Sequence, residues 1–258
     1  MAVQDETARM ESMLPSDCLS IQEIGTAAGV FMVLAWFILT VTALFMAFKA
    51  VQADVSIQKH YYLNAFICGI SVFSYFAMFS GMGWETVEGC RQYFYIRHLE
   101  WALTCSLILF SLGILAEQDV ATIFASMGFS VGMIYSGYLA AIGLVPLAKW
   151  LWFFFGLVLF VMVVYIILRE FRQTLLDKEN PDKQQLFDKA ALLTIVTWSL
   201  YPLVWILGPG IGAVGVSVEA ILYCFLDVTS KAVFSFVVVN VSPYESAEPA
   251  YTVEKEYV

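Results

Sequence analysis

Seven long apolar stretches separated by short polar breaks run along the chain, at approximately 24–48, 61–83, 93–116, 120–143, 147–169, 190–208 and 214–240. A helix needs about 20 mostly apolar residues to cross a bilayer, and each stretch comes close to or exceeds that length. The breaks read AVQADVSIQK, WETVEGCRQ, EQD and a turn at Pro146, followed by REFRQTLLDKENPDKQQLFDK, where Asn180-Pro181 marks a helix stop. The pattern predicts an all-α, seven-transmembrane-helix bundle over residues 24–240, with segment 1–23 before it and tail 241–258 after it.

Charge orients the bundle. The connections after spans one, three and five carry Lys49, Lys59, Arg169, Arg172, Lys178, Lys183 and Lys189, against Arg9, Arg91 and Lys149 on the other side. The positive-inside rule then places the N-terminus outside and the tail in the cytoplasm. On that topology the sequon Asn240-Val-Ser242 is idle, and the acidic segment before Ile24 lacks the layout of a cleaved signal peptide. No internal repeat is evident, which argues against an inverted-repeat transporter.

Composition agrees with this reading. The chain has 258 residues, 60% hydrophobic and 14% charged, which excludes a soluble domain. Its net charge of −9 comes largely from tails and loops and offers nothing to nucleic acid. Membrane lipid is the expected surroundings. The five cysteines, at 18, 68, 90, 105 and 224, have no metal-type spacing. Three fall in spans as packing residues, while Cys18 and Cys90 share one face and are free to pair within or between chains.

Few charges lie deep in the spans: Arg97, Glu100, Glu219, Asp227 and Lys231. Lys231 sits in VEAILYCFLDVTSKAVFSFVVV, and an ammonium at the centre of a bilayer costs about 2.5–3.5 kcal/mol on insertion scales. It therefore needs a partner, a wet cavity or a chemical role, such as condensing with an aldehyde. Asp227 is one helical turn away, and Arg97, Glu100 and Thr104 form a stripe on span three. Arg97, Lys231, Glu100 and Asp227 are expected to neutralise one another as a four-charge cluster, either structural or functional. Glu219, two turns outward of Asp227, is left to the wet outer mouth or to proton release. Trp198, Tyr201, Pro202 and Trp205 recur at helical steps and face one direction, either as core packing or as a flat slot beside the amine.

Three motifs, LDVTSK (Leu226–Lys231), RHLEWALT (Arg97–Thr104) and WSLYPLVW (Trp198–Trp205), resemble those of microbial (type I) rhodopsins, in the same order and on the same spans. The resemblance covers all seven spans. It implies all-trans retinal held on Lys231 as a protonated Schiff base, with Glu100 as counterion and proton acceptor. Asp227 is then the second counterion and Arg97 the gate-side cation. Trp101, Trp198, Tyr201 and Trp205 are expected to sandwich the polyene. Thr104, Cys105, Met133, Gly137, Gly156, Phe160, Pro202 and Ser230 complete the slot, those on spans four and five resting on SGYLAAI and KWLWFFFGL. A homo-oligomer and a transported ion, whether proton, other cation or anion, are the expected partners; enzyme activity is not expected. An animal-type receptor is disfavoured, because LFSLGILAEQD follows span three and no NPxxY occurs in span seven.

The mode of action is less constrained. Outward pumps of the family typically carry Asp as acceptor, then Thr-Pro, then a carboxyl donor eleven residues on. Here those places hold Glu100, Cys105-Ser106 and Ser111. The run Glu-Trp-Ala-Leu-Thr-Cys from Glu100, and FFFGL at Phe153–Leu157, resemble channelrhodopsins, whereas Ser106, Ser130 and a span two without glutamate do not. The expectation is a light-gated ion channel, with an outward proton pump and a partner-coupled sensor as alternatives.

Overall fold

The computed structural model describes residues 18–241. Seven helices long and apolar enough to cross a membrane account for most of them: α1 (Thr26–Gln52), α2 (Val55–Phe79), α3 (Ile96–Leu115), α4 (Val120–Ile142), α5 (Pro146–Asp177), α6 (Pro181–Gly210) and α7 (Val216–Val238). The expected extracellular stretch 1–17 (with Arg9) and the residues after Val241 (with Ser242 and most of the tail) lie outside the described residues.

Sequential helices pack against each other, and α7 closes the ring against α1 and α6. The buried face of α1 is Ala28, Met32, Ala35, Leu39, Thr42, Met46 and Ala50, spaced three and four residues apart. Its outer face exposes Val30, Leu34, Phe37 and Phe48, as a helix solvated by lipid should. α3 and α7 are the most enclosed helices, and they carry the intramembrane charges. Gly113 on α3 is a point of close approach: a Cβ there would lie 2.5 Å from Ile123 Cγ1 on α4.

Local chemistry sets the helix ends. Asp119 caps α4 by accepting from the Thr122 amide, 2.9 Å away, and Asn180 caps α6 by accepting from the Lys183 amide at 3.0 Å. Pro146 and Pro181 occupy first-turn positions, where no amide is needed. Three helices contain a π turn, at Ile166–Phe171, Ile206–Gly210 and Thr229–Val233; the last of these holds Lys231.

Some boundaries differ from the expected ones. α2 begins at Val55 rather than 61, and the long polar connection between spans five and six is mostly helix, leaving only Lys178–Asn180 between α5 and α6. Polar residues continue these helices beyond the apolar zone, which hydropathy does not register. Asn180-Pro181 ends one helix by starting the next.

The WETVEGCRQ turn is a two-stranded antiparallel hairpin, β1 (Glu85–Val87) and β2 (Arg91–Tyr93). The N-terminal segment is stitched onto it. Cys18 is disulfide-bonded to Cys90, the Gln22 amide donates to the Cys90 carbonyl at 2.8 Å, and the Gln92 amide donates to the Gln22 carbonyl at 3.0 Å. The Gly25 amide then donates to Ser217 Oγ at the start of α7, 2.8 Å away. This assembly marks the hairpin end of the bundle.

Candidate functional site

Lys231 lies at the centre of the bundle and is fully buried. Its Nζ donates to Asp227 Oδ1 at 2.5 Å and stands 3.2 Å from Glu100 Oε1. The i, i+4 spacing on α7 delivers the first contact and the α3 stripe delivers the second. The two carboxylates are held differently. Asp227 also accepts from Trp101 Nε1 (2.9 Å), the Tyr201 hydroxyl (2.8 Å) and the Tyr75 hydroxyl (2.7 Å). Glu100 Oε1 accepts from Ser71 Oγ at 2.5 Å and Thr104 Oγ1 at 3.2 Å, while Glu100 Oε2 is buried without a partner.

The expected four-charge cluster is a three-charge cluster. Arg97 lies one turn toward the hairpin end, over the rings of Phe94 (5.4 Å) and Tyr223 (5.1 Å), and forms no ion pair among the described residues. The helical step that places Glu100 beside the amine carries Arg97 past it, so aromatic faces rather than carboxylates receive its charge. Glu219, unassigned from sequence, pairs with Arg91 of β2 at 2.8 Å. Lys149 pairs with Glu88 at 3.1 Å.

The amine opens into a mostly apolar cavity between the helices. Every residue expected in the slot lines it: Trp101, Thr104 and Cys105 from α3, Met133 and Gly137 from α4, Gly156 and Phe160 from α5, Trp198, Tyr201, Pro202 and Trp205 from α6, and Ser230 with Lys231 from α7. Gly137 and Gly156 meet where α4 and α5 cross, with the backbone nitrogen of Gly137 3.9 Å from a Cβ placed on Gly156. Their missing side chains leave room in the slot.

The structure adds residues that sequence reasoning missed. His98, Phe153 and Tyr223 line the same cavity. Phe153 stacks on Trp205 at 4.5 Å, and His98 lies within hydrogen-bond reach of the Tyr93 hydroxyl at 2.9 Å. Ser71 and Tyr75, the donors from α2, were also missed. Serine and tyrosine in an apolar span carry no penalty that draws attention, although their spacing on one face was a usable signal.

A protein-family model described as "Bacteriorhodopsin-like protein" matches residues 26–242. The chain belongs to this family. Archaerhodopsin-2 of Halobacterium sp. (strain aus-2) is 32% identical over 192 residues, covering 72% of this chain and 74% of that protein. The halorhodopsin of Natronomonas pharaonis is 35% identical over 161 residues, 62% of this chain and 54% of that one. The fold matches thermophilic rhodopsin from Rubrobacter xylanophilus with TM-score 0.81 at 26% identity, covering 85% of this chain and 97% of the other. A light-driven proton pump from Leptosphaeria maculans matches with TM-score 0.81 at 24% identity, over 88% and 100% of the two chains. The protein is therefore an integral membrane protein, and retinal is the chromophore of its bacteriorhodopsin-like family. The channelrhodopsin likeness expected for the third helix is not confirmed by these relatives.

Proposed function

We propose that this chain is a light-driven outward proton pump that holds all-trans retinal on Lys231. The observation carrying this reading is the buried Lys231 amine, set between Asp227 and Glu100 and facing an aromatic-walled cavity. The residues fit the chromophore. The amine is the condensing group, and Trp101, Trp198, Tyr201 and Trp205 offer flat apolar walls. When bound, retinal supplies light absorption and an isomerisation that displaces the charged nitrogen.

The chain's own residues then divide the work. Asp227, already accepting from Lys231, Trp101, Tyr201 and Tyr75, is a fixed anion. Glu100 has an open oxygen and is the proton acceptor. Arg97 and the Arg91–Glu219 pair lie on the hairpin side of Glu100, where a departing proton would pass. Lys49, Lys59, Lys178 and Lys183 gather at the opposite end, which supports the cytoplasmic assignment of that end.

The expected channel is not supported. The relatives include archaerhodopsins and halorhodopsins, and among solved structures of the same fold are a light-driven proton pump and a halorhodopsin described as a light-driven chloride pump. Between these two cargoes, Glu100 favours the proton. A carboxylate 3.2 Å from the lysine nitrogen fills the place an anion would occupy and repels it.

Reconstitution with all-trans retinal and voltage clamp test the proposal. Light-driven current of one direction at all voltages, abolished in Lys231→Ala together with the colour, is the expected result. Current that reverses with the ion gradient would establish a channel instead, and a coloured Lys231→Ala protein would remove the attachment site.

A further inference from the structure

A pump must return a proton to the lysine nitrogen from the side opposite Glu219, and the usual carboxyl at that place is here Ser111. Resting on the pump reading above, we infer that His60 is the internal proton relay of the cytoplasmic half. Register places it there. Ser71 of α2 is bonded to Glu100 of the antiparallel α3. Eleven residues along each helix from that pair (71 to 60, 100 to 111) bring His60 level with Ser111. At about 1.5 Å per residue, both lie roughly 16 Å inward of Glu100.

His60 and Ser111 are fully buried, and so is Asn64, one turn from His60 toward the amine. Asn64 Oδ1 and Ser111 Oγ are both buried polar atoms without a partner. Nearer the amine, Cys68 Sγ lies 3.5 Å from Ser235 Oγ, and Ser235 is one turn from Lys231. A row of polar side chains thus leads from His60 toward the lysine nitrogen.

The alternatives on this side are few. Among the described buried residues, the other ionisable side chains there are Lys183, Cys68 and Cys105. Lys183 is bound to Glu117 at the rim, where Lys178 joins it, and Lys59 beside His60 points to the exposed side. A thiol that donates leaves a buried anion. An imidazolium that donates leaves a neutral ring, the cheaper product in a low-dielectric interior. In the step inferred, the imidazolium N–H bond breaks, the proton travels along the polar row, and the lysine nitrogen gains it. The ring then takes a proton from the cytoplasmic solution.

Flash photolysis of the retinal-loaded protein tests this through the return of the proton to the lysine nitrogen. In His60→Gln the return slows by about 10²-fold, the low end of what a positioned proton donor supplies, and its rate falls about tenfold per pH unit as bulk protons become the source. Added imidazole or the His60→Asp variant restores speed and flattens the pH profile. An unchanged rate and pH profile in His60→Gln would overturn the inference, as would a slowed rate that imidazole leaves slow. In the retinal-free protein in the dark, ¹⁵N-histidine NMR gives a second readout. The chain has two histidines, so His98→Phe isolates the His60 signal. Its ring N–H must exchange with bulk water faster than the backbone amides on the buried face of α2; a ring proton protected as long as those amides overturns the relay. A wild type that moves no net proton in light would instead overturn the pump reading.

Discussion

At the residue scale, the two carboxylates beside Lys231 differ in hydrogen-bond saturation, and their substitution should separate them. Tyr75→Phe removes one donor to Asp227, a charged acceptor, and should cost about 1.5–3 kcal/mol of pigment stability with little change in transport. Thermal bleaching rate measures it, and a bleaching rate equal to wild type would show that Asp227 does not depend on this bond. Glu100→Gln instead removes the negative charge nearest the nitrogen after Asp227. It should move the absorption maximum to longer wavelength and abolish proton transfer, and an unchanged maximum would show that Glu100 is not the counterion. The charged residues were legible in the sequence because each is expensive in an apolar run and so demands a reason. The hydroxyl donors Ser71 and Tyr75 were not: a serine can satisfy itself on a backbone carbonyl, as Ser71 also does on Ile67, and a tyrosine reads as one more aromatic of an apolar span.

At the element scale, hydropathy gave the number and order of helices but misplaced the ends where helices continue into polar surroundings. α5 runs on to Asp177 and α6 starts at Pro181, both in sequence too charged to read as membrane-embedded. Packing between elements was equally hidden, since one sequence does not say which glycines lie at crossings. Gly113 does: an added methyl would meet Ile123 Cγ1 at 2.5 Å and Phe171 Cζ at 3.4 Å, wedging α4 and α5 away from α3. Gly113→Ala should therefore destabilise the bundle by about 1–3 kcal/mol, the usual cost of overpacking. Pairing it with Ile123→Ala should recover part of the loss in thermal denaturation. An additive second loss would place the strain elsewhere.

At the scale of the whole molecule, the two ends of the bundle are fastened by different chemistry. The hairpin end uses a covalent bond: Cys18–Cys90 closes a loop of sequence separation 72, and Arg91, next to Cys90, reaches Glu219 on α7. The opposite end uses charge. Glu117, after α3, accepts from both Lys178 after α5 and Lys183 on α6. Partial burial acts to raise the Glu117 carboxyl, but the two lysines outweigh it and hold it below its ordinary range. A carboxyl whose folded value is depressed contributes stability above its unfolded value, about 4.3, and loses it as pH falls through the folded value. The clamp is partly exposed, so each pair contributes at most about 1 kcal/mol and salt weakens it. Acidification from pH 6 toward pH 3 should then loosen α5 and α6 at that end while the disulfide-held end stays closed. Hydrogen exchange of the 172–186 backbone, compared between wild type and Glu117→Gln, isolates this effect. Wild-type exchange should rise on acidification to the level that the variant shows at every pH, once both are corrected for intrinsic exchange. If the two proteins respond alike across the range, the end is held by the apolar packing of Phe171, Leu175 and Phe187, with the ion pairs riding on it.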